Sequence, residues 1–208
     1  TMKLGAMKAQ LPWSLEQADL AFCHTAGLDW DAAQALASMG INQFVTELVA
    51  PLNVMVGESW MRGELEVFEE HLYTECITAV MHQAIHQVST SSQKSAPTVL
   101  LTTFPQEAHG LGLLMAESML ALDGCRCISL GTQTPLRDIA HAAVAHSVDV
   151  VALSFSVNMN ANHVADGLQE LNLLLPSHVE VWAGGSAPAL RRRQIDRVTV
   201  MHDLNAID

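Results

Sequence analysis

Basic residues are scarce: 10 Lys and Arg stand against 22 Asp and Glu in 208 residues, a formal net charge of −12. Phosphate backbones are held by positive stripes, so this deficit argues against nucleic acid as a direct partner of the chain. Averaging hides no basic module, since residues 1–94 carry 4 basic and 11 acidic residues and residues 95–208 carry 6 and 11. The local cluster Arg191-Arg192-Arg193 reads as a solvated helix face or a helix end complementing the dipole. Four cysteines (Cys23, Cys76, Cys125, Cys127) are too scattered for a disulfide framework, and Cys125-x-Cys127 has no second pair to close a zinc site. The four tryptophans stand apart from basic residues and form no stacking platform for bases. No apolar run spans a membrane, because residues 148–157 are few and include two serines. Residues 1–10 lack the apolar centre of a signal peptide. Neither G-x-G-x-x-G nor a Walker loop occurs, which removes support for dinucleotides and nucleoside triphosphates. These absences predict a soluble, cytoplasmic chain with no membrane contact.

What is present is an apolar half of the sequence and ten histidines, arranged in two regimes that meet near residue 90. Residues 15–27, 30–39 (extending towards 49) and 64–87 place apolar residues at three-and-four spacing, as helices do. Gly27, Gly40 and Gly57 with Pro51 punctuate that pattern. Leu65, Phe68, Leu72, Cys76 and Ala79 form an expected apolar stripe on the last of these helices. Residues 1–90 are therefore read as a helical bundle of three or four helices. A polar linker, residues 89–95, follows. From there to residue 208 short β-branched runs (98–103, 126–130, 149–155, 180–183, 198–201) alternate with helical stretches (111–122, 135–147, 162–174). That alternation predicts an α/β domain with a doubly wound, flavodoxin-like or Rossmann-like parallel sheet. Such sheets bind ligands beyond the carboxyl ends of their strands, in the loops after residues 103, 130, 155 and 183.

Those loops carry chemistry. Glu107-Ala108-His109 opens a helix, and a carboxylate two residues before an imidazole can hold one ring nitrogen while the other binds a metal. Gly112 removes a side chain where something bulky must approach the backbone. Ser154 and Ser156 offer two hydroxyls to a pocket, and Gly184-Gly185 leaves another place without side chains. Each element alone is unremarkable. Together, E-x-H-x-x-G, then Ser154 after 41 residues, then Gly184-Gly185 27 residues beyond Ser156, resembles the D-x-H-x-x-G … S-x-L … G-G motif of methionine-synthase-like corrinoid domains. Glu107 stands where that motif has Asp, and Ser156 where it has Leu.

In the helical half, nine residues separate Trp60 from Glu70-His71, and Val67 lies one turn before His71 on the same face. This resembles the W-x9-E-H motif of the CarH/LitR family, cobalamin-dependent photoreceptors that regulate transcription. The E-x-H-x-x-G form and the loop Leu130-Gly131-Thr132-Gln133-Thr134-Pro135-Leu136 also fit that family, over roughly residues 30 to 205.

The resemblance implies a fold in which a four-helix bundle caps the upper face of adenosylcobalamin and a cobalamin-binding sheet domain holds the lower. It implies His109 as the lower ligand of cobalt, supported by Glu107. It places Gly112, Thr134, Ser154, Ser156, Gly184 and Gly185 along the cofactor, with the nucleotide tail passing the serine and paired glycines. Trp60 and Val67 would pack against the 5′-deoxyadenosyl group, with Glu70 and His71 bonding to it. The chemistry would be the cofactor's: light cleaves the cobalt–carbon bond and the protein supplies the readout, with no catalytic residue and no enzymatic turnover. A homo-oligomer, tetramer or dimer, is expected in the dark, with DNA bound only through a helix-turn-helix domain outside this chain. Met61 stands where best-known members carry a histidine that takes the upper cobalt position after photolysis, so no such adduct is expected here unless another group supplies it. Two other readings remain open: a corrinoid shuttle subunit of a methyltransferase system, and a stand-alone cobalamin-binding antirepressor.

Overall fold

The computed structural model describes residues 28–88, 96–192 and 195–204. The chain divides into two compact units, Thr1–His86 and Gln87–Asp208.

In the first unit, helix α1 (Leu28–Met39) ends at Gly40, and α2 runs on through Ile41–Gln43, a π-helical stretch Phe44–Val49, and Ala50–Met61. Helix α3 is Val67–Val88. The expected helix over residues 15–27 lies outside the described residues. Pro51 and Gly57 do not punctuate the chain as expected, because α2 passes through both. The widened turn just before Pro51 accounts for this. Ala50 N–H donates to Val45 O, five residues back, and the looser ladder accommodates a residue with no N–H and a bulky ring. The expected stripe on α3 also shifts. Cys76 is buried, but Phe68 and Leu72 are exposed, and the buried face is Tyr73, Cys76, Ile77, Val80, Met81, Ala84 and Ile85. The first two turns of α3 carry apolar residues on the side away from that face, and these drew the stripe out of phase. Tyr73 donates its phenol proton to Asn53 Oδ1 at 2.5 Å, joining α3 to α2.

In the second unit, β1 (Thr98–Thr102), β2 (Arg126–Ser129), β3 (Val150–Phe155), β4 (Glu180–Gly185) and β5 (Val198–Met201) form one parallel sheet in the order β2-β1-β3-β4-β5. Helices α4 (Leu111–Leu122), α5 (Leu136–Ala145), α6 (Ala161–Leu174) and α7 (Pro188–Arg192) connect them. The sheet is the doubly wound α/β domain expected from the alternation. Alternate strand residues feed two cores, one around Leu100, Val151, Leu153, Leu168 and Leu171, the other around Val99, Leu101, Leu113 and Leu120. Burial on both faces explains why these strands read as continuous apolar runs. The strand order reverses between β1 and β3, so the crevice for a ligand opens at the ends of those two strands.

Candidate functional site

The loop after β1 is built around Glu107. Its side chain is 1% exposed, while that of His109 is 62% exposed. Glu107 Oε1 lies 2.6 Å from His109 Nδ1 and also accepts the His109 backbone N–H at 3.0 Å. Glu107 Oε2 accepts Ser156 N–H at 2.7 Å, which ties the loop after β1 to the loop after β3 across the switch point. Burial pushes the Glu107 carboxyl up, but hydrogen bonds from the His109 ring and the Ser156 amide more than offset it and bring it down to about 2. An ionised carboxylate only accepts, so Nδ1 of a neutral His109 carries the proton and its lone pair is on Nε2.

Gly112 sits in the first turn of α4, and a Cβ there would come 2.8 Å from Ser154 Oγ. Ser154, one residue before the end of β3, is in register with Gly184, and Phe155 is in register with Gly185. Gly185 has φ 104°, and a Cβ on it would collide with the Phe155 carbonyl oxygen. That carbonyl already accepts Ser186 N–H at 2.9 Å, so the turn out of β4 is closed down on β3. Gly112, Ser154 and Gly184 thus leave a strip without bulk beside the sheet. Ser156 Oγ is buried beside the Glu107 carboxylate, which it helps to hold ionised, and has no other hydrogen-bond partner among the described residues.

Thr134 lies in the loop after β2. Its hydroxyl meets Thr102 Oγ1 at 2.7 Å, and Thr102 Oγ1 reaches Gly131 O at 2.9 Å. Thr134 N–H donates to Thr103 O at 3.0 Å. Thr103 Oγ1 donates to Glu107 O at 2.6 Å and accepts Gln133 N–H at 2.8 Å. Thr102 and Thr103 lie in the apolar run 98–103 but were not among the expected site residues. The signal for them was a polar pair closing an otherwise apolar strand at its ligand-facing end.

The remaining candidates belong to the helical unit. Trp60, 47% exposed, is in the last turn of α2, and Val67, 57% exposed, begins α3. Glu69 Oε2 caps α3 by accepting Glu66 N–H at 2.8 Å, which fixes where the helix starts. Glu70 Oε1 accepts the Thr74 hydroxyl at 2.8 Å, and Glu70 Oε2 is 3.7 Å from His71 Nε2. The helix thus sets Glu70 and His71 on its first turns, with the His71 side chain 70% exposed.

Other metal-binding chemistry is weak. Burial pushes both Cys125 and Cys127 up, Cys127 to about 12, so neither is a thiolate at neutral pH. Among the described residues no group of three or more His, Cys, Asp or Glu could hold a metal ion. No helix among them is long and apolar enough to cross a membrane.

Residues 97–204 match the family described as B12 binding domain, and residues 23–84 match a second family of the same description. The chain is 32% identical over 167 residues to the HTH-type transcriptional repressor CarH of Myxococcus xanthus, covering 80% of this chain and 55% of the repressor. It therefore spans about half of that protein's length. It is 22% identical over 147 residues to methionine synthase of Mycobacterium tuberculosis, 70% of this chain and 12% of the enzyme. The fold is shared with the monomethylamine corrinoid protein of Methanosarcina barkeri, at a TM-score of 0.71, 17% identity and 92% coverage of each chain.

Proposed function

We propose a function for a chain that belongs to the B12 binding domain family: it is the adenosylcobalamin-dependent, light-sensing portion of a transcriptional regulator. The observation that carries the reading is the pair Glu107 and His109. A buried carboxylate holds Nδ1 of an exposed imidazole, which prepares Nε2 to coordinate cobalt as a single protein ligand. The residues present fit a cobalamin. The strip at Gly112, Ser154 and Gly184 suits a nucleotide tail, and the bonding capacity of buried Ser156 Oγ suits a polar group on it.

When bound, adenosylcobalamin supplies a cobalt–carbon bond that light can break. This chain's residues bind and orient around it. His109 would hold the metal, Glu107 would keep the imidazole in its coordinating tautomer, and Gly185 with Thr134 would shape the loops at the rim. Trp60 and Val67 would offer apolar surface to the adenosyl group, and Glu70 with His71 would offer it hydrogen bonds. Loss of that group removes a partner that only one conformation accommodates, so the equilibrium between assembled and separated chains shifts. Likeness to a repressor over 80% of the chain, with Trp60 and Glu70-His71 at the spacing of the photoreceptor motif, supports regulation. DNA contact would come from a helix-turn-helix domain outside this acidic chain.

Size-exclusion chromatography with adenosylcobalamin, in the dark and after green light, tests the reading. A larger dark species that separates on illumination is expected. A profile indifferent to light, with methylcobalamin or hydroxocobalamin held equally well, would favour a corrinoid shuttle subunit instead.

A further inference from the structure

The hydroxyl of Thr103 joins two loops that no covalent neighbour links. It donates its single proton to the Glu107 carbonyl at 2.6 Å and accepts the Gln133 amide at 2.8 Å, and the residue is fully buried. Both loops are held in unfavourable backbone at the points it grips. Gln106, just before Glu107, has φ 72°, and Gln133 has φ 61°. A left-handed conformation at a residue with a Cβ costs about 1 kcal/mol and persists only where surrounding contacts enforce it. Thr102 adds a second tie to the same loop through Gly131 O and Thr134. The loop after β2 therefore does not pack independently. Its position is transmitted to Glu107, and Glu107 sets the imidazole of His109.

We propose that Thr103 is a positioning residue for His109, locking the loop of Gly131–Thr134 to the Glu107–His109 pair so that both close on the cofactor as one element. This rests on the reading of His109 as the cobalt ligand. A threonine suits the task because its hydroxyl donates and accepts at once, while its methyl group fills space in a buried position. Valine keeps the shape and loses both bonds, so the carbonyl of buried Glu107 and the amide of Gln133 lose the group that ties them together.

The test compares the full chain with Thr103→Val and Thr103→Ser, each loaded with hydroxocobalamin and then reduced to the cobalt(II) state. Two quantities are read: the rate at which cobalamin is lost on dilution, and the fraction of the electron paramagnetic resonance signal split by a protein nitrogen. In wild type labelled with nitrogen-15 in histidine, the signal should be split into the doublet of a protein nitrogen. If it is not, the reading of His109 fails and the inference with it. If it is, Thr103→Val should lose cobalamin about 10- to 100-fold faster, as outer partners of metal ligands typically do, with a smaller split fraction. Thr103→Ser should restore both. A Thr103→Val protein with wild-type loss rate and splitting would overturn the inference while leaving His109 in place. Should Thr103→Val not fold, hydrogen exchange of the Gln133 amide in wild type decides. Loading should slow it, and His109→Ala in the loaded state should undo the slowing; an unchanged rate would overturn the coupling.

Discussion

Glu107 Oε2 accepts the Ser156 amide at 2.7 Å while Glu107 Oε1 lies 2.6 Å from His109 Nδ1. One buried carboxylate thus joins the ends of β1 and β3 and fixes which nitrogen of an exposed imidazole keeps its proton. The relationship makes Glu107 the residue on which the site depends.

Glu107→Gln tests the tautomer directly. The amide can still accept from Ser156, but its NH₂ turned towards His109 favours a lone pair on Nδ1 and a proton on Nε2. Cobalamin affinity should fall by about 10- to 100-fold, measured by equilibrium titration with hydroxocobalamin. The melting temperature should change much less than in Glu107→Ala, which leaves the Ser156 amide without its acceptor.

The same carboxylate sets a pH dependence of the cofactor-free fold. Its pKa of about 2 lies below the ordinary 4.5, so the folded state is favoured by the ionised form. That stabilisation is complete above 4.5 and is lost as pH falls towards 2. Urea midpoints measured between pH 6 and 3 should fall more steeply in wild type than in Glu107→Gln; parallel curves would assign the acid sensitivity to other groups.

The paired glycines are not equivalent. A methyl group on Gly184 meets Met201 O no closer than 3.6 Å, whereas one on Gly185 collides with the Phe155 carbonyl oxygen at φ 104°. Gly185→Ala should cost about 2–4 kcal/mol and Gly184→Ala under about 1, read as chemical-denaturation midpoints. Gly184→Ala should still weaken cobalamin binding if the tail lies along it.

Trp60 separates function from stability in the other direction. At 47% exposure its replacement by alanine should shift stability by only about 0.5 kcal/mol or less. Retention of adenosylcobalamin through gel filtration should nevertheless drop, with hydroxocobalamin held as before. Equal loss of both cobalamins would remove Trp60 from the adenosyl contact.

Much of this was legible in the sequence, for identifiable reasons. Parallel strands buried on both faces announce themselves as apolar runs, so residues 98–103 and 149–155 marked β1 and β3 to within a residue at each end. The loop residues Glu107 and His109 could be placed because the switch-point rule says where ligands bind. Phase and continuity in the helical unit were harder. Pro51 reads as a break, yet a π-helical turn absorbs it, and nothing local signals that turn. Phe68 and Leu72 mimic a core stripe, and only the packing of Tyr73, Ile77 and Val80 shows which face is buried. Thr103 is harder for a different reason: with Thr102 it marks the ligand-facing end of an apolar run, but its two backbone partners, Glu107 and Gln133, are brought to it only by the fold.

The most direct measurement is electron paramagnetic resonance of the cobalt(II) form, prepared with chain labelled with nitrogen-15 in histidine alone. Coordination by His109 requires that the nitrogen splitting change from a triplet to a doublet on labelling and disappear in His109→Ala. A triplet unchanged by the label would mean that cobalt keeps the cofactor's own base, and would contradict the assignment of His109 on which the site is built.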